Sequence, residues 1–432
     1  MSEIGRSAEE ALAYVKAIPA PQGRTMMDVP FEKRDLVRFG FVGVGNRGFS
    51  QMNSILAVEG AQVTAIHDPL EANALRARES VEKAGQPSPA LETDWRKLCA
   101  REDVDCVYIS SPWDLHVAQA VHAMECGKIA GVEVPAAGTL ADCWRLVDAS
   151  ERTRRHCVIL ENCCYGNSEL TVLNMVRAGL FGTITHGEAA YIHDLRKILL
   201  ADTGEGLWRR EPHKTRNGNL YPTHGLGPVA WYMNIHHGDR FTRLVSMSSL
   251  SAALQEYRDA NLPADNPRRN EKYRCGDMNS SLIQTARGRT ILLQHDVVTP
   301  RPYSRLNLIA GSRGTFSDYP PRVFLDGQTT LDGKTAHDWK PLDEFKAQYE
   351  HPLWKECGEL ALKNGGHGGI DFIMNYRLVQ TIRQGLPPDM NVYDAAAWSA
   401  PGPLSDISVA WDGLCLPFHD FTRGHWQAAA SV

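Results

Sequence analysis

A short apolar run that empties into three glycines is the feature that most limits how this chain can fold. In VRFGFVGVGNRG, Val37 to Val42 has the apolar character of a buried strand, and Gly43, Gly45 and Gly48 follow in G-x-G-x-x-G spacing. Each glycine has its own reason. Gly43 makes the tight turn, Gly45 lets backbone N–H groups approach a pyrophosphate, and Gly48 allows the next helix to pack closely on the strand. Asn46 and Arg47 stand between them, where the helix begins. A glycine turn alone is common, so the context matters. Twenty residues beyond Gly48 the strand AQVTAIHD ends in Asp68, a carboxylate placed to accept hydrogen bonds from ribose hydroxyls. An acid there favours NAD over the cofactor carrying a 2′-phosphate.

The alternation continues. The strands VDCVYISSP, KIAGVEVP and HCVILEN are separated by helical patterns over 114–127 and 140–155, the sequence form of a doubly wound parallel sheet. Ligands bind such sheets at the carboxyl ends of the strands. That edge is predicted to carry Trp113 and His116 from SPWDLH, Glu133 from EVP, and Asn162 from EN. After Asn162 the pattern changes. A helix in SELTVLNMVRAGLFG is followed by strand-like runs in ITHGEAAYIHDL, RLVSMSSLSAAL, MNSSLIQTA, TILLQHDVV and SRLNLIAG, with no helices between most of them. Such a succession implies a largely antiparallel sheet. The expected architecture is α/β: an arm over 1–37, an NAD-binding Rossmann domain over 38–162, and a substrate-binding α+β domain with an open sheet over 163–432. The late helix in GGIDFIMNYRLVQTIRQG is expected to return onto one of the two domains.

Composition closes off other classes. A net charge of −5, with no block of like charge, gives no basic surface for nucleic acid. No apolar run approaches the roughly 18 residues that a membrane helix needs. The first residues, MSEIGRSAEEALAYVKAIPAPQG, show neither a basic leader nor an apolar h-region. Ten cysteines are scattered without a C-x-x-C pair, which suits reduced thiols in a cytoplasm and gives no metal-binding pattern.

The stretch NLYPTHGLGP sets Tyr221 and His224 three residues apart among two glycines and two prolines. Glycine and proline at this density read as a loop, with a helix starting at PVAWYMNI. A phenol and an imidazole presented from a loop are suited to proton transfer near neutral pH. The same residues are also compatible with an aromatic pair packed beneath a loop. Upstream, LWRREPH offers Arg210 as a fork of donors and His213 beside it.

Across about residues 38–425 the chain resembles glycoside hydrolase family 109, a branch of the glucose-fructose oxidoreductase and inositol dehydrogenase superfamily. The matching segments include GVGNRG, WDLH, VEVPAA, ENCCY, AAYIHDLR, NGNLYPTHGLGP, QHDVVTPRPYSR, GGHGGIDFIMN and DFTRG. Dehydrogenases of the superfamily usually carry E-K-P where this chain has Glu133-Val134-Pro135, and loss of that lysine agrees with the hydrolase branch. The resemblance implies α-N-acetylgalactosaminidase activity with NAD held tightly and recycled in each turnover. It implies cofactor contacts from Asn46, Arg47, Asp68, Trp113, Asp114, Leu115, His116, Glu133, Val134, Asn162 and Tyr221. It implies substrate contacts from Tyr191, Arg210, Tyr221, Pro222, Thr223, His224 and Tyr303. A small-molecule glycoside is the expected partner, and a homo-oligomer formed through the sheet domain the expected assembly. Sulfoquinovosides are an alternative substrate class, and an NAD-dependent sugar dehydrogenase an alternative activity.

Overall fold

The computed structural model describes residues 5–327 and 337–427. Among them, two sheets organise the molecule. Strands β1 (Val37–Val42), β2 (Ala61–His67), β3 (Ala90–Leu91), β4 (Cys106–Ile109), β5 (Ile129–Val132) and β6 (Cys157–Ile159) lie in the order β3-β2-β1-β4-β5-β6. Every pairing in this sheet is parallel. Helices cover both faces, so the strands are mostly apolar: Phe39 and Phe41 of β1 are fully buried, each contributing about 1.5–3 kcal/mol. Strand order reverses between β1 and β4, and the crevice at that switch point is where a dinucleotide sits in this class of fold.

The second sheet runs β14-β13-β12-β11-β7-β10-β9-β8-β15, with β7 at Ile184–Ile192, β8 at Phe241–Ser248, β9 at Asn279–Thr285 and β10 at Thr290–Asp296. Shorter strands complete it: β11 (Leu308–Gly311), β12 (Gly314–Ser317), β13 (Arg322–Leu325), β14 (Lys340–Pro341) and β15 (Leu416–Pro417). It is antiparallel except at its centre, where β10 pairs with β7 in parallel. The period of two is clean. Leu244, Ser246, Ser281, Ile283, Ile291 and Leu293 face inward and are buried, whereas Met247 and Leu282 on the other face are 67% and 45% exposed. The run RLVSMSSLSAAL stops as a strand at Ser248, and its end turns into the helix Ala253–Asn261.

Three elements bind the sheets together. The late helix, Ile370–Gln384, packs on the nucleotide side, where Asn375 donates to Gln51 (2.8 Å) of the glycine-motif helix Asn46–Leu56. The N-terminal arm holds a helix, Ala8–Lys16, and then crosses the Rossmann layer: Met26 N donates to the Tyr393 hydroxyl at 2.8 Å and Arg154 donates to the Arg24 and Thr25 carbonyls. The third is the stretch read as a loop. Residues Thr223–Tyr232 form a helix that begins before Gly225 and carries Pro228 inside it. Local propensity opposes this helix, and tertiary packing overrides it. A Cβ at Gly225 would lie 2.3 Å from the Ala190 nitrogen of β7, and one at Gly227 would meet Cys164 Sγ at 2.9 Å and Glu161 Cγ at 3.0 Å. The glycines are there to let a helix lie directly on strand and loop, not to break it. No helix among the described residues is long and apolar enough to cross a membrane.

Candidate functional site

The carboxyl edge of the parallel sheet supplies the cofactor side. Gly43 adopts φ 85° and a Cβ on Gly48 would sit 1.9 Å from the Gly43 carbonyl, so the turn and the close approach both require glycine. Gly45, the N-cap of the following helix, has open space where its Cβ would be and no side-chain cap on the helix N–H groups. Uncapped N–H groups facing open space are what a pyrophosphate needs. Asp68, just beyond β2, accepts from Val44 N at 2.8 Å and from Leu70 N at 2.9 Å, which fixes it beside the glycine turn. Asn46 begins the helix and Arg47 follows. These residues fit a dinucleotide with a free ribose diol.

Arg47 is the centre of a buried ionic cluster. Its Nε donates to Glu133 at 2.7 Å and its Nη1 to Asp371 at 2.9 Å, while Asn162 Nδ2 donates to Asp371 at 2.7 Å. Burial opposes the charge on Arg47, but Glu133 and Asp371 outweigh it and hold the guanidinium firmly protonated. Burial raises the Glu133 carboxyl in spite of the arginine. Val134, beside it, is buried and apolar. The turn Trp113–Leu115 flanks the crevice, with Trp113 5.7 Å from the Tyr221 ring and Leu115 42% exposed. His116 is buried and both of its ring nitrogens meet backbone carbonyls, of Pro135 and Ser111, at 2.9 Å. It therefore braces the ends of β4 and β5 and has no ring nitrogen left for a ligand.

Opposite the cofactor edge, two tyrosine–histidine pairs lie side by side. His224, in the first turn of its helix, meets the Glu161 carboxylate through Nδ1 at 2.7 and 3.0 Å, and Tyr221 OH lies 3.5 Å from its Nε2. Burial is the main influence on His224 and lowers its pKa, against the pull of Glu161. Burial raises Glu161, but His224 and the Cys163 N–H overcome it and leave the carboxyl below its usual range. The two directions agree on one state: a neutral imidazole donating from Nδ1 to an ionised carboxylate, with Nε2 free to accept a proton. Burial holds the Tyr221 phenol well above its ordinary pKa. In the second pair, Tyr191 OH meets His193 Nδ1 at 3.1 Å, and the Tyr191 and Tyr221 rings are 4.6 Å apart. Tyr303, 41% exposed, stands 6.3 Å from Tyr191 at the rim. Pro222 and Thr223 are buried where the helix starts.

The arginine in this pocket is Arg209. Its guanidinium lies 5.0 Å from the Tyr221 ring and 5.3 Å from Trp113, with Nη1 on Glu205 at 2.5 Å. Arg210 points elsewhere: Nε donates to Glu271 at 2.9 Å and Nη1 to the Leu199 and Gly206 carbonyls, so it ties its own loop together. The two adjacent guanidinium groups diverge on this turn, and the doublet gives no sign of which one faces the pocket. His213 is buried against His295, and its pKa is pushed down to about 3 by burial and then by Arg209. It stands as a neutral ring between His295 and the Arg209 guanidinium's field. Glu161, Arg209, Asp371 and His193 are site residues that the sequence reading passes over. Glu161 precedes Asn162 in the same strand end, and His193 lies two residues from Tyr191 on a β-strand period, which would have placed both. Glu161, Cys163 and His224 bring ligand atoms within 4.8 Å of one another. The acid and imidazole are already closed on each other, and burial keeps the thiol protonated, so the set is not poised for a metal.

Comparison with known proteins shows the family and the fold. A family model described as Glycosyl hydrolase 109, C-terminal domain, matches residues 165–428, and one described as Oxidoreductase family, NAD-binding Rossmann fold, matches residues 37–160. A Glycosyl hydrolase family 109 protein of Solibacter usitatus is 53% identical over 415 residues, covering 95% of this chain and 93% of the relative. Another from Shewanella baltica is 46% identical, covering 96% of this chain and 92% of the relative. Among solved structures, a levoglucosan dehydrogenase in complex with NADH and levoglucosan superposes with a TM-score of 0.68 at 16% identity, over 88% of this chain and 99% of that one. An inositol dehydrogenase homolog complexed with NAD+ from Azotobacter vinelandii gives 0.66 at 16% identity, over 91% of this chain and 100% of that one. At such identity the likeness concerns the fold.

Proposed function

The chain belongs to glycosyl hydrolase family 109, and from that premise we propose that it cleaves a glycoside by a redox-assisted elimination with NAD held in the Rossmann crevice. The observation that carries the reading is the state of the carboxylates. Common glycosidases use two carboxyl groups flanking the scissile bond. Here Glu133 and Asp371 are held by Arg47, Glu161 by His224, and Glu205 by Arg209. What the pocket offers instead is a neutral imidazole and phenols, which suit proton transfer from activated carbon and hydroxyl positions.

When bound, NAD supplies the acceptor for a hydride from C3 of the sugar and returns that hydride at the end. The residues do the rest. His224 Nε2 takes the proton released as C3 becomes a ketone and passes it through the Tyr221 hydroxyl to solvent, and then takes the proton from C2, which that ketone acidifies. Glu161 fixes the tautomer that leaves Nε2 as acceptor. The aglycone then leaves C1, and water adds to the resulting enone before C3 is reduced. Asp68 and the glycine turn retain the cofactor. Val134 removes the lysine that would assist net alcohol oxidation, which favours the closed cycle over a dehydrogenase.

The substrate we infer is an α-N-acetylgalactosaminide or a closely similar neutral glycoside. Pairing of Arg209 with Glu205 supports an uncharged sugar over a sulfonated one, because the guanidinium charge is already matched. Met247 and Leu282 on the open face of the second sheet support assembly of the enzyme as a homo-oligomer through that face. Ten cysteines that form no disulfide among the described residues, eight of them buried, support a reducing, cytoplasmic setting. The deciding experiment incubates the purified protein with aryl α- and β-glycosides while following aglycone release and NADH absorbance together. Release without net NADH supports the proposal; stoichiometric NADH with oxidised sugar would replace it with a dehydrogenase.

A further inference from the structure

The cycle just proposed uses one tyrosine–histidine pair and leaves the second without a task. His193 follows directly on β7, and its backbone N–H donates to the Asp296 carbonyl at the end of β10 (2.9 Å), so its position is set by the parallel pairing at the centre of the sheet. Its Nδ1 is engaged with Tyr191 OH, which leaves Nε2 for a ligand. Its ring stands perpendicular to Tyr303 at 5.1 Å. Three rings form a triangle, His224 to Tyr221 4.8 Å, Tyr221 to Tyr191 4.6 Å and Tyr191 to His224 5.4 Å, and His193 extends from its Tyr191 corner at 5.8 Å toward the exposed Tyr303.

A sugar lying on this triangle with C3 toward the ends of β4 to β6 and C2 at His224 has its C1 oxygen on the Tyr191 side, within reach of His193. We propose that His193 is the catalytic residue at the leaving group, donating from Nε2 to the glycosidic oxygen with Tyr191 as its proton source. The inference rests on the redox-assisted reading above and deepens it. The step balances without an outside reagent. As the electron pair left at C2 forms the C1–C2 double bond, the C1–O bond breaks and the oxygen takes the Nε2 proton. Tyr191 O–H passes its proton to Nδ1, so the imidazole stays neutral and the charge rests on the phenolate. Arg209 lies against Tyr191 and pulls its pKa down against the larger, opposing influence of burial, so the transient phenolate forms beside a guanidinium that it shares with Glu205. Water addition runs the relay backwards: oxygen bonds to C1, its proton goes to Nε2, and the Nδ1 proton returns to Tyr191.

The test is His193→Asn, whose amide retains a partner for Tyr191 while removing Nε2. It is compared with wild type on a 4-nitrophenyl glycoside and a methyl glycoside of the same sugar, in deuterated buffer. A 4-nitrophenolate leaves without protonation, so that rate should fall less than about tenfold; methoxide does not, so methyl glycoside hydrolysis should fall by about 10²–10⁴-fold. Unreacted methyl glycoside recovered from the variant should carry deuterium at C2, since deprotonation continues while departure stalls. Equal losses on the two substrates, or undiminished methyl glycoside hydrolysis, would overturn the assignment. If wild type itself shows no C2 exchange, the redox-assisted reading has failed rather than the role of His193.

Discussion

Replacing Glu161 by glutamine is the perturbation that bears most directly on the proposed chemistry. The carboxylate is fully buried and holds His224 Nδ1 at 2.7 and 3.0 Å. A hydrogen bond to a charged acceptor is worth about 1.5–3 kcal/mol, and each 1.36 kcal/mol lost from the transition state is tenfold in rate. Orientation alone thus predicts a fall of about 10–100-fold in kcat. Glutamine adds a second loss, because its amide N–H₂ can face Nδ1 and favour the tautomer whose Nε2 carries the proton. General-base catalysis contributes about 10²–10⁴-fold, so the expected fall is about 10²-fold or more, with NAD content unchanged. The pH dependence gives an independent reading. In the wild type His224 is the base, its pKa is lowered by burial, and Glu161 partly offsets that lowering; activity should therefore be lost as pH falls below 6.5 and through the folded pKa. Without the carboxylate the imidazole becomes harder to protonate, so the residual activity should persist to lower pH. The assay is kcat against pH on folded, NAD-loaded protein. Activity within threefold of wild type, or an acid limb that moves upward, would refute the reasoning.

Other outcomes follow from the same geometry. Asp68→Ala should lower the NAD that co-purifies, since the turn loses its brace at Val44 N and the ribose its acceptor; unchanged occupancy removes Asp68 from the cofactor site. Arg209→Met should reduce kcat/KM by at least about tenfold with a small change in melting temperature. Arg210→Met should do the reverse, because it frees Glu271 and two loop carbonyls without touching the pocket. Substrate deuterated at C2 should exchange its label for solvent hydrogen during hydrolysis, and product that keeps all of its deuterium excludes elimination.

The nucleotide half was readable because each of its signals is local. Gly43, Gly48 and Asp68 answer to a turn, a close contact and a strand end that short stretches of chain can specify. The helix Thr223–Tyr232 was not readable, because what makes glycine and proline acceptable there is the flat approach to Ala190 and Glu161, residues more than thirty positions away. The doublet Arg209–Arg210 failed for a related reason: which arginine faces inward depends on a loop closed by Leu199, Gly206 and Glu271. The aromatic cluster was half visible. Tyr221 and His224 came from the glycine- and proline-rich stretch itself, and Tyr191 and Tyr303 from the family likeness, while Glu161 and His193, one and two positions from residues already singled out, show their partners once the two sheets are brought together.

That meeting has a consequence for how such an enzyme can change. Glu161 follows the last parallel strand, and His224 comes from a helix laid on the other sheet. The base is therefore built across a seam, half encoded in each part of the gene. A nucleotide-binding unit borrowed from a dehydrogenase would bring its own residue opposite His224 and would alter the tautomer before it altered the cofactor. Exchange of a whole nucleotide-binding module therefore changes the catalytic base unless residue 161 still pairs with His224. Successful chimaeras should be those whose crossover keeps residues 161 and 224 from the same parent.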